Sequence, residues 1–180
     1  SRLALLRQVG IEPDRVDPPA VDETPRAREL PLPCALRLAE TKVRAAHAAH
    51  PDAFVLAADT VVACGRRILD QTADPERARA MLALLSGRRH RVYTAVAVMT
   101  PDARRSVKSA MTHVRFKRLS RDEIEAYIEA GEWRGKAGAY AIQGRGAAFV
   151  PAINGSYSNV VGLPLVLTLA MLGGLGWRGG

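Results

Sequence analysis

A chain of 180 residues that is 48% hydrophobic carries enough apolar material for one packed domain, or two small lobes sharing a core, which excludes a disordered chain. Its longest apolar tract, Val160 to Leu172, is broken by Gly162 and Pro164 and falls short of the roughly 20 residues a membrane span needs. The formal charge of +8, with pI near 10.2, points to an anionic partner, yet the arginines are scattered and form no aromatic-interleaved stripe of the kind a nucleic-acid groove prefers.

A nucleotide or other phosphate substrate satisfies that charge equally well, and nucleic-acid binding is kept as the lesser alternative. The only cysteines, Cys34 and Cys64, give neither a disulfide framework nor a zinc spacing, so both read as free structural thiols of a reducing compartment. No signal peptide is visible, and no membrane partner is expected.

In chain order, Glu12 to Pro33 is rich in proline and charge and reads as a long loop, of a length that is often functional. Leu36 to Ala49 predicts a helix with Leu36, Ala39, Val43 and Ala46 on one face. Phe54 to Ala58 predicts a strand that continues through Val62, with a turn at Gly65-Arg66-Arg67. Asp74 is an N-cap with Pro75 at the first helical position, Ala78, Met81, Leu82 and Leu85 repeat at helical spacing, and Gly87 ends the helix.

His90 to Met99 and Ala110 to Lys117 predict paired strands, with Val92, Thr94, Val96 and Val98 alternating in the first. In the second, His113, Arg115 and Lys117 face away from Val114 and Phe116. Ser120 to Glu123 is a capping box for a helix with Ile124, Tyr127 and Ile128 inward, closed by Gly131. Lys136 to Ser158 is glycine-rich with strand-like pieces AYAI and AAFV, and a last apolar helix starts near Pro164. The sum is an α/β domain with a mixed sheet.

The informative polar residues are those at positions that ought to be apolar. Asp59 interrupts the run VLAADTVV, where a carboxylate is costly unless paired, hydrogen-bonded or bound to a metal. A cap or arginine pairing competes there with a catalytic or metal-binding role, and Thr60 adds a hydroxyl beside it. Asp22-Glu23 is a second carboxylate site, for which a solvated loop is the default. Lys42, between Leu38 and Ala46, is placed to bury its stem and present an ammonium to a cleft.

In GKAGAYAIQGRGAAFV, Gly135, Gly138, Gly144 and Gly146 permit close backbone approach to a ligand, while Lys136, Gln143 and Arg145 supply donors. The stretch matches neither a P-loop nor the dinucleotide fingerprint, and no Ser-His-Asp, HExxH or nucleophile-elbow pattern occurs. Carboxylates, a lysine and glycine-framed donors on a basic chain point to metal-assisted chemistry on a polyphosphate, with Mg²⁺ or Mn²⁺ as the hard cation.

Six stretches carry a family resemblance: VDE (21–23), RLAETK (37–42), AADTVV (57–62), LSGRRHRVYTAVAV (85–98), YIEAGEWRGKAGAYAIQG (127–144) and INGSYSNVVGLPL (153–165). On these the chain resembles, over nearly its whole length, the Maf family of nucleoside triphosphate pyrophosphatases, also called septum-formation inhibitor-like proteins. The resemblance implies a single cytoplasmic Maf-like domain, usually homodimeric. Its fold is elongated and two-lobed with a central cleft, like that of inosine triphosphate pyrophosphatases.

The implied reaction cleaves a nucleoside triphosphate between the α and β phosphates. Asp59 matches the family's proposed general base near the metal, Glu23 its acidic loop residue (with Asp59, the expected metal ligands) and Lys42 its active-site lysine. Thr60 and Gln143 match positions linked to base selection, and Lys136 joins them as a substrate-binding candidate. The QG motif and GSYSNVVGLPL resemble the branch acting on dTTP and UTP rather than 7-methyl-GTP. A regulator of cell division that binds nucleotide without turnover is the alternative.

Two departures stand out. Family members open with a strand and a Ser-x-Ser-Pro-Arg-Arg loop gripping phosphates; Arg2 falls on its second arginine and Ser1 on its first, so the strand and most of the loop are expected to be missing. In ILDQTAD, Gln71 stands where a lysine of a Lys-Pro pair is usual. A neutral amide can hydrogen-bond a phosphate oxygen without neutralising it, so weaker binding or slower turnover is expected.

Overall fold

A computed structural model describes residues 1–179. The elements are α1 (Arg2–Gln8), α2 (Pro31–Ala49), β1 (Val55–Cys64), β2 (Arg67–Ile68), α3 (Pro75–Leu85), β3 (Arg89–Met99) and β4 (Arg105–Arg115). They continue with α4 (Arg121–Ala130), β5 (Ala152–Asn154), α5 (Tyr157–Val161) and α6 (Leu165–Gly174). One sheet, ordered β2-β1-β3-β4-β5, runs through the described residues. Every pairing in it is antiparallel, so the α/β class holds while the expected mixed sheet is antiparallel throughout.

The start and stop signals act as their chemistry dictates. Asp74 accepts from Glu76 N with Pro75 opening α3, and Ser120 and Glu123 form the reciprocal capping box of α4. Gly131 closes α4 in the left-handed conformation at φ 77°. The Gly65-Arg66 turn joins β1 to β2, with Gly65 at φ 59° as a tight hairpin requires.

Helix α2 starts five residues before the expected Leu36, because Pro31 and Pro33 occupy the first turn, where a missing N–H is no loss. AYAI and AAFV are not strands: Arg145–Phe149 is a 3₁₀ turn, and the strand that pairs with β4 is β5.

Alternation along β3 predicts one buried face, but the strand is buried on both from Thr94 to Met99. Helix α2 covers one face, packing Cys34, Leu38 and Val43 on Val61, Ala95 and Ala97. On the other face, α1 and α6 pack Leu5, Met171 and Leu172 on Ala58, Val96 and Val98. Further along that same face, α3 and α4 build a third core around Val92, Val114, Leu82 and Trp133. A cleft opens between this last group and the rest, and β1 runs along its floor. No helix among the described residues is long and apolar enough to cross a membrane.

Candidate active site

The period-2 alternation of β1 sends neighbouring side chains to opposite faces, and this decides the site's layout. Asp59 faces α2 and is 7% exposed. There Lys42 Nζ donates to Asp59 Oδ1 at 2.9 Å and reaches Glu23 Oε1 at 2.5 Å, so one ammonium bridges both carboxylates. Burial pushes the Asp59 carboxyl up from its ordinary value, and Lys42 and Arg2 only partly offset this.

Thr60 faces the opposite way. Its hydroxyl meets Thr94 Oγ1 at 2.8 Å and accepts from Arg2 Nη2 at 3.2 Å. Arg2 is anchored by Nε donating to the Gly162 carbonyl at 2.6 Å. Burial lowers its pKa despite the attraction of Asp59 and Glu23.

The loop that carries Glu23 is held at both ends. Arg7 on α1 takes Glu12 at 2.7 Å, His50 after α2 takes Asp17 at 2.7 Å, and Arg37 on α2 grips Glu29 through both carboxylate oxygens at 2.6 and 2.7 Å. The Arg37 guanidinium holds the Glu29 carboxyl down to about 2. A long proline-rich segment is therefore tied down by these carboxylate contacts, which leave Glu23 at the cleft.

The cavity measures about 490 Å³, within the range of small-molecule sites. Eight of the residues singled out from the sequence line it: Asp59, Glu23 and Lys42 as the charged cluster, Arg2 and Thr60 beside it, and Gln71, Lys136 and Gln143 on the facing wall, while Asp22 does not. Arg145 does not line it; its backbone N–H donates to Glu132 Oε2 at 2.9 Å.

The glycines separate in the same way. Gly135, at φ 68°, borders the cavity beside Gln71. A side chain at Gly138 would meet Val62 at 2.8 Å, one at Gly144 would meet Glu132 at 2.2 Å, and one at Gly146 would meet the Ala141 carbonyl at 2.5 Å. These three make room for the protein itself, not for a ligand. Glu132 is the hub that sequence reasoning missed, since it also takes the Gly146 N–H and the Tyr127 hydroxyl.

Asp70 was missed too. It lines the cavity next to Gln71, its Oδ1 accepts from Gln71 N at 2.9 Å, and burial followed by nearby Glu23 raises its pKa. The signal that found Asp59, a carboxylate ending an apolar run, was present here after Ile68-Leu69. Burial raises the Cys34 thiol at the cleft wall to about 12, so it is an inert packing group.

A cleft with clustered carboxylates and cations at one end and uncharged hydrogen-bonding groups beside them defines a binding protein or enzyme for a polar anionic small molecule. The chain belongs to the Maf family: the profile described as Maf-like protein matches residues 1–175. It is 55% identical over 179 residues to a dTTP/UTP pyrophosphatase of Rhodospirillum rubrum, covering 99% of this chain and 85% of that one. It is 57% identical over 176 residues to a dTTP/UTP pyrophosphatase of Paramagnetospirillum magneticum, covering 98% and 93%. A dTTP/UTP pyrophosphatase of Bradyrhizobium diazoefficiens is 55% identical over 182 residues, covering 98% and 87%.

Proposed function

We propose that this chain is a nucleoside triphosphate pyrophosphatase acting on dTTP and UTP. The observation that carries the reading is Asp59, buried yet ionisable, held by Lys42 in a cavity of nucleotide size in a chain over half identical to enzymes of that name. In the reaction, the oxygen of water bonds to the α phosphorus and the bond from that phosphorus to the α–β bridging oxygen breaks. Pyrophosphate leaves and the nucleoside monophosphate remains. Asp59 accepts the proton of the attacking water, and its raised pKa makes it a better base than an exposed aspartate.

Lys42 orients Asp59, and Arg2 and Lys136 supply positive charge to the phosphates. Lys42 engages one oxygen of each of Asp59 and Glu23, and the second oxygen of each is a hard donor that would hold Mg²⁺ or Mn²⁺ together with the substrate. Such a cation, when bound, neutralises phosphate charge. Thr60 and Gln143 read the base. The protein acts as one domain over residues 1–180, as a cytoplasmic homodimer.

Gln71 in the cleft wall favours one second reading, a family member that binds nucleotide and turns it over poorly. Assaying pyrophosphate and monophosphate from dTTP, UTP, CTP, GTP and 7-methyl-GTP with Mg²⁺ separates the two. The proposal expects dTTP and UTP as the best substrates; tight binding of these with no pyrophosphate released would make the protein a nucleotide-binding regulator.

A further inference from the structure

We infer that Thr94, which lies outside the cavity, is a positioning residue that fixes the Thr60 hydroxyl as a hydrogen-bond acceptor toward the ligand and so favours bases with an imide N3–H. The inference rests on the proposed nucleotide substrate and adds how the base is chosen.

The argument is a count of protons. Each threonine hydroxyl has one proton and two lone pairs. Thr94 Oγ1 lies 3.0 Å from the main-chain carbonyl of Asn159, which can only accept, so Thr94 spends its proton there. In the 2.8 Å contact between Thr94 Oγ1 and Thr60 Oγ1, Thr94 must then accept and Thr60 must donate. Arg2 Nη2, with donors only, occupies one Thr60 lone pair at 3.2 Å. What Thr60 has left to offer the cavity it lines is a single lone pair.

Burial makes the arrangement stiff. Thr94 and Asn159 are both 0% exposed, so no water substitutes for either partner. Asn159 is pinned in turn by Nδ2 donating to the Val92 carbonyl at 3.2 Å and to Thr112 Oγ1 at 2.9 Å.

An acceptor-only group selects among the parts of a nucleoside triphosphate. The ionised phosphate oxygens carry no donor, and a ribose hydroxyl both donates and accepts, so it is not discriminated. Uracil and thymine share an N3–H, whereas cytosine N3 is an acceptor and would face the Thr60 lone pair. Unmatched buried polar groups are the most effective means of rejecting an analogue. The polarity set by Thr94 thus accounts for a site that takes thymine and uracil together.

The test compares binding of the α,β-methylene analogues of UTP, CTP and N3-methyl-UTP to the wild type, Thr94→Val and Thr94→Ser, each checked for folding by thermal melting. Wild type and Thr94→Ser should prefer the UTP analogue over both others by about tenfold or more. Thr94→Val frees the Thr60 proton to turn toward the ligand and should bring the uracil-to-cytosine ratio within about threefold of one. Thr94→Ala removes the same hydroxyl and serves if Thr94→Val does not fold.

A wild type without base preference, or a folded valine or alanine variant that keeps it in full, would overturn the inference. Hydrolysis of UTP by the wild type is measured alongside. If it is absent while the base preference and its loss in Thr94→Val persist, the pyrophosphatase reading fails and this one stands.

Discussion

Asp59 and Thr60 are consecutive on β1, yet their surroundings differ in kind. Toward α2 the site is built from full charges: Asp59 and Glu23 share the Lys42 ammonium, and Asp70 stands nearby. Toward α5 it is built from hydroxyls, carbonyls and an amide, with the Arg2 guanidinium donating to Thr60 and Gly162, and nearly every proton has an acceptor. The first arrangement costs stability and is reactive, because burial disfavours the charged form of Asp59. The second is uncharged at its buried core and tightly pinned, with Asn159 Oδ1 its unpartnered atom. A single strand thereby places the proposed general base on one face and the proposed base-reading hydroxyl on the other.

The largest effect is expected from Asp59→Asn, which removes the proposed base but keeps the shape. Turnover should fall by about 10²–10⁴-fold, the usual weight of a general base. Stability should not fall with it. Since the folded-state pKa of Asp59 lies above 3.8, the folded protein holds a proton that the unfolded chain has released. The contribution of this group is greatest below that window and is lost as pH rises through it, so at neutral pH the asparagine variant should melt at or above the wild-type temperature.

Lys42→Met comes next. Lys42 lowers the Asp59 pKa, so its loss should move the acid limb of kcat/KM to higher pH and reduce turnover by about 10–100-fold, the weight of a charged hydrogen bond. An acid limb that stays in place would detach Lys42 from the base. Gln71→Lys works in the opposite direction: adding a cation beside Asp70 should raise kcat/KM by about tenfold, and no gain would mean that residue 71 does not meet the phosphates.

The smallest effect on turnover should come from Asn159→Ala, behind the hydroxyl face. It removes the amide bonds to the Val92 carbonyl and Thr112 Oγ1, empties a fully buried site, and should cost about 1–3 kcal/mol in denaturant unfolding while changing kcat far less than Asp59→Asn does.

Much of the charged half was legible in the chain because it breaks local rules. A carboxylate inside VLAADTVV and a lysine on an otherwise apolar helix face are visible before folding, and both line the cleft. The family motifs brought Thr60 and Gln143 to the same place. The hydroxyl half was not legible. Thr94 reads as one more residue of an alternating strand, and only the fold sets the Asn159 carbonyl above it.

The glycines misled for the same reason, since a glycine that accommodates Glu132 and one that borders a ligand have the same sequence signal. Burial of β3 on both faces depends on α1 and α6 returning from opposite ends of the chain, and no window along β3 records that.

The measurement that tests this division most directly crosses two variants with two readouts. Pyrophosphate release from UTP and the uracil-to-cytosine binding ratio of the methylene analogues are determined for Asp59→Asn and Thr60→Val. The account predicts that Asp59→Asn loses release and keeps the ratio, while Thr60→Val keeps most of its release and loses the ratio. Both variants losing both properties in the same proportion would contradict it.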